Sequence, residues 1–423
     1  MVAFPEYRRI AEEVMDGVVL AYEERPSLTQ VSALLVPVGA LCEGPGEEGL
    51  AHLLEHMVFR GTKDFPTARD IMMAAEGSGG RINAYTTYDY IVFLVQMPTT
   101  VWKLSLNLLF QLAFFPLLRE DDLMVEREVV LREMAMLDDD PSEKAAMQLQ
   151  KAMWGTHRLG QDVIGSKEVI RNVTRKQLID FWKEKFFRYP IYIVSIGSVP
   201  FSEIRSFIKN MEYPDGFFRS REEPWNNVDI ASFTGDHIVI KEKTNQTYYR
   251  IAINLYPYRT DAWSKKKYHI SLISALLGGA TFSKIVQDIR DKNGWAYSVG
   301  ATISGSVAGT SLIWYMDVLP GVLDQVKNVW KREITRLEKG MISEEEFEKV
   351  KTYVIGSTMM SSDSMHSTAL AHLMNVAFNG HLWDPVKDVG ILEKLTLTDV
   401  SEEFHNLMSS QIFAEVIYGA EFS

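Results

Sequence analysis

The run Gly49-Leu50-Ala51-His52-Leu53-Leu54-Glu55-His56-Met57-Val58-Phe59-Arg60-Gly61 holds two imidazoles and one carboxylate in an otherwise apolar stretch that ends in Arg60 and Gly61. Its centre, His52-Leu53-Leu54-Glu55-His56, has the order H-x-x-E-H, the reverse of the H-E-x-x-H order of common zinc peptidases. On a helix, residues four apart share a face, so His52 and His56 point the same way, and Glu55, three after His52, joins them. Two imidazoles can ligate a metal, and a carboxylate beside them can serve as base toward a metal-activated water. Ala51, Leu53, Leu54, Met57 and Val58 leave the helix no other polar side, which predicts a buried helix whose three polar groups need partners. Glu47 and Glu48 suit its N-terminus, and Gly61 suits its C-terminal stop. The plainer alternative is a pair of satisfied core histidines beside a surface Glu.

A catalytic zinc ion takes three protein ligands and leaves one position for water, so two histidines are not enough. The segment from Glu120 to Asp140 predicts one long helix closed by Pro141. One face of it runs Glu126, Val130, Glu133, Leu137, in steps of four, three and four. Acids seldom enter an apolar stripe unless they are paired or bound to a cation. The competing reading is a solvated acidic helix whose ion-pair partners are Arg127 and Arg132.

The segment from Gly49 to Thr62 resembles the zinc-site segment of the M16 metallopeptidases, the family of pitrilysin, insulin-degrading enzyme and the mitochondrial processing peptidase. The resemblance implies a third ligand, a Glu, seventy-seven positions after the second histidine, and Glu133 stands there. It implies an acid seven residues earlier that orients a ligand, and Glu126 stands there. By resemblance, then, His52, His56 and Glu133 are metal ligands, Glu55 is the general base and Glu126 supports from behind. Gly79-Gly80-Arg81-Ile82-Asn83-Ala84-Tyr85-Thr86 is similar to the family's strand beside the zinc helix, which makes Asn83 and Ala84 substrate-binding positions. Arg290 and Tyr297, in Ile289-Arg290-Asp291-Lys292-Asn293-Gly294-Trp295-Ala296-Tyr297, resemble the family's Arg and Tyr pair that reaches substrate from the second half of the enzyme. Both are expected to bind substrate and to assist catalysis.

The resemblance spans essentially the whole chain and is closest to the small-subunit branch of the family. It implies an α+β fold of two homologous α/β-sandwich-like domains, each a mostly antiparallel sheet packed with helices, in the manner of the processing peptidases. The expected division is 1–212 for the zinc-binding domain, 213–236 for a polar linker and 237–423 for a silent homologous domain. The second half has no H-x-x-E-H; its counterpart region reads Leu276-Leu277-Gly278-Gly279-Ala280. The implied activity is hydrolysis of unfolded peptides by an endopeptidase holding one Zn2+ per chain. A chain of this size would dimerise to enclose a chamber, with Arg290 and Tyr297 acting on the partner's zinc domain. It carries both residue sets, which favours a homodimer over a pair with a related M16 chain. The alternative function is a non-catalytic scaffold or a peptide-binding accessory subunit of the same fold.

Composition agrees with a globular protein: 423 residues, 46% hydrophobic and 24% charged, are enough for two full cores. A net charge of -12 with no basic stripe argues against nucleic acid as a partner. Cys42 is the only cysteine, so no intrachain disulfide can form, and a reducing, cytoplasmic setting is expected. The first residues lack the apolar core of a secretory signal, and no run of eighteen apolar residues predicts a membrane span. His157 reads as structural, and Asp138-Asp139-Asp140 as the acidic end of a helix rather than a calcium loop.

Overall fold

The computed structural model of the protein describes residues 4–215, 217, 222–409 and 412–419. Part of the linker stretch, residues 216 and 218–221, lies outside them. The fold is α+β, with two sheets packed by helices. Two compact units divide the chain: Met1–Met134, Val163–Asn227 and Ser361–Trp383 form the first, and Ala135–Asp162, Val228–Met360 and Asp384–Ser423 form the second.

The first unit is built on a six-stranded sheet of β1 (Arg9–Met15), β2 (Val18–Glu24), β3 (Thr29–Val36), β4 (Arg81–Thr86), β5 (Ile91–Pro98) and β6 (Ile191–Gly197), in the order β1-β2-β6-β3-β5-β4. Only β2 and β6 pair in parallel. Residues 30–36 of β3 and the whole of β6 are buried, which is why both read as mostly apolar, with Gln30, Ser32 and Ser195 the buried exceptions, rather than as alternating strands. The helices Trp102–Phe114 and Met365–Asn379 both pack on β3. The H-x-x-E-H helix, Leu50–Val58, packs on the edge strand β4 and on the helix Arg175–Phe186.

The second unit repeats this plan with one strand fewer. Its sheet holds β7 (His237–Lys241), β8 (Thr247–Leu255), β9 (Ala296–Gly305), β10 (Thr310–Val318) and β11 (Ala414–Gly419), in the order β7-β11-β8-β10-β9. β7 and β11 are the parallel pair, as β2 and β6 are in the first unit, and every other pairing is antiparallel. In the place of the H-x-x-E-H helix, between β8 and β9, lies Asp261–Ser274 followed by a break at Leu277 and Gly278. Gly278 has φ +136, and a side chain there would press on the β9 backbone at Gly300 and Ala301. Among the described residues the stretch Asp261–Lys292 has the length and apolarity of a membrane span. That break interrupts it, and Ile270, Leu272, Ile273, Ile285 and Ile289 lie in the core of the unit.

The compact units are cut differently from the expected division at 1–212 and 237–423, because each half of the sequence gives a helix to the other unit. Pro141–Trp154 packs on β8 and β11 in the second unit. Met365–Asn379 packs on β2, β3 and β6 in the first. Pro141 closes the long helix Glu120–Asp139 and also opens the next one: it occupies the first turn, where its missing N–H costs nothing, while the Asp140 carboxylate accepts from Ser142 and Glu143.

The donated helix Met365–Asn379 is held by a buried polar cluster. Glu23, fully buried on β2, accepts from Arg9 Nε at 2.6 Å, from Arg25 Nε and from His372 Nε2 at 3.0 Å. Arg25 also donates to the Ser362 carbonyl at 2.8 Å and to Thr368 Oγ1 at 3.0 Å. His372 Nδ1 accepts the Trp383 amide at 3.2 Å, so the neutral ring is fully satisfied with its proton on Nε2. Burial accordingly pushes the His372 pKa down. Burial alone would raise Glu23, but the His372 hydrogen bond and the Arg25 guanidinium outweigh it and bring the carboxyl to about 2. Both groups have depressed folded-state pKa values, so each contributes stability above its unfolded pKa and loses it on acidification. Stability measured by urea unfolding is expected to decline from His372 as pH falls below 6.5, and further from Glu23 between 4.5 and about 2. His372→Asn should cost about 1–3 kcal/mol at pH 8 and flatten the part of that slope that His372 contributes. A variant with the wild-type pH profile would show that the cluster does not couple to folding.

Candidate metal centre

Gly49 starts the H-x-x-E-H helix in the left-handed region, at φ +99, where a side chain would strike the Ile164 carbonyl. The acid that caps the helix is Glu43, not Glu47 or Glu48 as the sequence suggests. Glu43 Oε2 accepts from the Gly49 amide at 3.1 Å and Oε1 from the Ala51 amide at 2.9 Å. Glu47 and Glu48 are turned back to the Gly44 and Gly46 amides of the preceding loop. Six of the nine helical residues are buried apolar side chains, and the remaining three are His52, Glu55 and His56.

The helix Glu120–Asp139 brings its carboxylates to this face. His56 Nδ1 lies 3.2 Å from Glu126 Oε2. That contact fixes the proton on Nδ1 and leaves the Nε2 lone pair open, 3.6 Å from Glu133 Oε2. His52 Nε2 is 3.9 Å from the same oxygen. The two rings meet edge to face with centroids 4.7 Å apart. One ligand atom from each of His52, His56 and Glu133 lies within 4.8 Å of the others.

These three residues fit a divalent metal. The separations from the Glu133 oxygen exceed hydrogen-bond length, so the groups do not satisfy one another. Ligands about 2.0–2.2 Å from a tetrahedral ion stand roughly 3.4 Å apart, close to what is seen. The donor set of two imidazoles and one carboxylate leaves a fourth position for water, and Glu133 is the half-exposed member on the solvent side. Electrostatics agree: burial, and then His56, bring the His52 pKa down to about 4, which keeps that ring neutral as a ligand must be. The hydrogen bond to Glu126 pushes His56 up. Burial raises Glu55, against the pull of a hydrogen bond from Thr86 Oγ1 at 2.8 Å.

Asn83 and Ala84 lie on β4, whose outer edge pairs with no other strand among the described residues. Asn83 is exposed, and its side-chain oxygen accepts from the Ala84 amide. Arg290 and Tyr297 belong to the second unit. Arg290 sits in a helical turn, ion-paired to Asp291 at 2.8 Å, and Tyr297, at the start of β9, is 89% exposed. His157 is structural as expected, its Nδ1 accepting the Leu159 amide. Three contributors were not singled out in the sequence: Glu43, Thr86 and Arg60. Arg60 Nη1 is 3.3 Å from Glu126 Oε1, so Glu126 is shared between His56 and a guanidinium that also meets Asp122. Arg60 follows His56 by four residues, one helical turn, which is the signal that could have revealed it.

Fold and site together define a class: a two-unit α+β protein with a histidine and glutamate metal cradle on an H-x-x-E-H helix. Residues 18–167 match the family model described as insulinase (peptidase family M16), and residues 172–354 match that of the peptidase M16 inactive domain. The chain belongs to the M16 peptidase family. An uncharacterized zinc protease of Rickettsia bellii is 24% identical over 406 residues, 96% of each chain. The uncharacterized zinc protease YmxG of Bacillus subtilis is 25% identical, over 83% of this chain and 84% of its own. Among solved structures, a protease from Helicobacter pylori aligns over 98% of this chain and 99% of its own with a TM-score of 0.85 at 17% identity, a likeness of fold alone.

Glu43→Ala removes both hydrogen bonds to the helix start, and thermal unfolding is expected to show a loss of about 1–2 kcal/mol. An unchanged melting temperature would mean that the orphan amides find water equally well.

Proposed function

We propose that this chain is a zinc-dependent endopeptidase that hydrolyses unfolded peptides, with one Zn2+ per chain held by His52, His56 and Glu133. The observation that carries this reading is the convergence of those three ligand atoms beside Glu55, with Glu126 behind His56. The names of the curated relatives support zinc and proteolysis. The family's inactive-domain model over the second half supports a division of labour in which only the first unit carries a metal centre.

Bound zinc would supply the positive charge that polarises a peptide carbonyl and brings the pKa of a water to about 7. Glu55 would take the proton of that water on its carboxylate and pass it to the leaving amine. With Oε2 accepting from the Thr86 hydroxyl, Oε1 would be the oxygen that makes that transfer. An extended peptide would add to the open edge of β4, where Asn83 and Ala84 meet its backbone. That mode selects unfolded segments, since a folded protein has no free strand to offer. Arg290 would hold the substrate backbone, and Tyr297 would donate to the developing oxyanion.

The chain is proposed to work as a homodimer whose two copies enclose a chamber, each supplying Arg290 and Tyr297 to the other's zinc site; a related M16 chain is the alternative partner. The presence of both residue sets in one chain supports the homodimer. The single Cys42 supports a reducing, cytoplasmic setting. Neither nucleic acid nor membrane is proposed as a partner.

The deciding test is digestion of a long unstructured peptide, followed by mass spectrometry, for wild type beside Glu55→Gln, with zinc content measured on both. Wild type is expected to cleave, and the variant to keep its zinc while losing at least about 100-fold in kcat. Zinc without cleavage in either would favour a peptide-binding accessory role, and absence of zinc a scaffold. Mixing Glu55→Gln chains with Arg290→Ala chains should restore activity to about a quarter of wild type, from one intact site in each mixed dimer. Proven mixed dimers without any rescue would remove the trans arrangement.

A further inference from the structure

Glu55 is held from the end of β4 by Thr86. Thr86 Oγ1 donates to Glu55 Oε2 at 2.8 Å, and no other side chain hydrogen-bonds Glu55 among the described residues. The Thr86 backbone amide faces the same carboxylate. Thr86 is the last residue of β4 and pairs with Ile91 of β5. Side chains two apart on a strand share a face, so Ile82, Ala84 and Thr86 line one side of β4. The H-x-x-E-H helix packs on this strand.

We propose that Thr86 is the positioning residue of the general base: its hydroxyl holds one oxygen of Glu55 so that the other faces the water to be deprotonated. The inference rests on the function proposed for Glu55. A glutamate has three side-chain torsions to fix, and here the neighbours at the carboxylate end, His56 and Glu133, pull in opposite directions. Without an anchor the carboxylate can swing toward the ligand cluster, where it would compete for the metal rather than serve the water. Threonine suits the anchor better than serine in stiffness, because its β-branch restricts χ1 on a strand, but the donor itself is common to both. The hydroxyl has one proton to give, and it gives it to Glu55.

The test compares Thr86→Val, which keeps the branched shape and deletes the donor, with Thr86→Ser, which keeps the donor. The readouts are kcat and KM on an unstructured peptide, zinc affinity by chelator competition and the melting temperature of the full chain, with Glu55→Gln alongside. Thr86→Val is expected to lower kcat about 10- to 100-fold while KM and zinc affinity stay within about twofold of wild type. Thr86→Ser is expected to recover most of kcat. A wild-type kcat in Thr86→Val beside an inactive Glu55→Gln would overturn the role of Thr86 and leave the function standing. Loss of zinc affinity or of melting temperature in Thr86→Val, or a serine variant as slow as the valine, would make Thr86 a structural residue and also overturn it. A Glu55→Gln enzyme as active as wild type would instead bring down the function on which the inference rests.

Discussion

The hydrogen bond between His56 Nδ1 and Glu126 Oε2 ties the helix Leu50–Val58 to the helix Glu120–Asp139 where both carry polar groups inward. It sets the tautomer of His56, and with it the direction of the free lone pair. It also fixes the rotation of the long helix. Glu133, seven residues and about two turns after Glu126, must then fall on the same side, opposite both imidazoles. Arg60, itself held by Asp122, braces the carboxylate from behind, so that Glu126 does not have to choose between His56 and solvent. A face that would otherwise be an expensive burial of polar groups becomes a set of three convergent donors with a base next to them.

Much of this was legible because the signals are local. The i, i+4 spacing of His52 and His56 needs only helical geometry, and the same arithmetic places Glu126 and Glu133 on one stripe. The family resemblance linked the two helices, which spacing alone cannot do across seventy-seven residues.

What escaped the sequence is non-local or depends on competition between equals. Glu43, Glu47 and Glu48 all stand near the helix start, and only the loop path decides that Glu43 reaches the Gly49 and Ala51 amides. Thr86 looks like any strand-end threonine until β4 is laid against the helix. Pro141 reads as a stop, and only the Asp140 cap shows that it is also a start. The edge strand β1 is mixed and half-buried, so it carries no clean alternation. The helices Pro141–Trp154 and Met365–Asn379 bury their apolar faces in units remote from their sequence neighbours, and nothing in either helix says which sheet it will cover.

That exchange of helices bears on how the polypeptide reaches its native state. A nascent chain emerging from the ribosome through Asn227 holds every strand of the first sheet but lacks Ser361–Trp383, so β3 and β6 have no Met365–Asn379 helix to cover them. The fully buried Glu23 then has Arg9 and Arg25 at hand but no His372. Closure of the first unit waits for synthesis almost to the end of the second. These closing contacts are of high sequence separation, a kind that slows folding and prolongs the exposure of apolar sheet surface. Neither half produced alone would hold the full set of helices that cover its sheet.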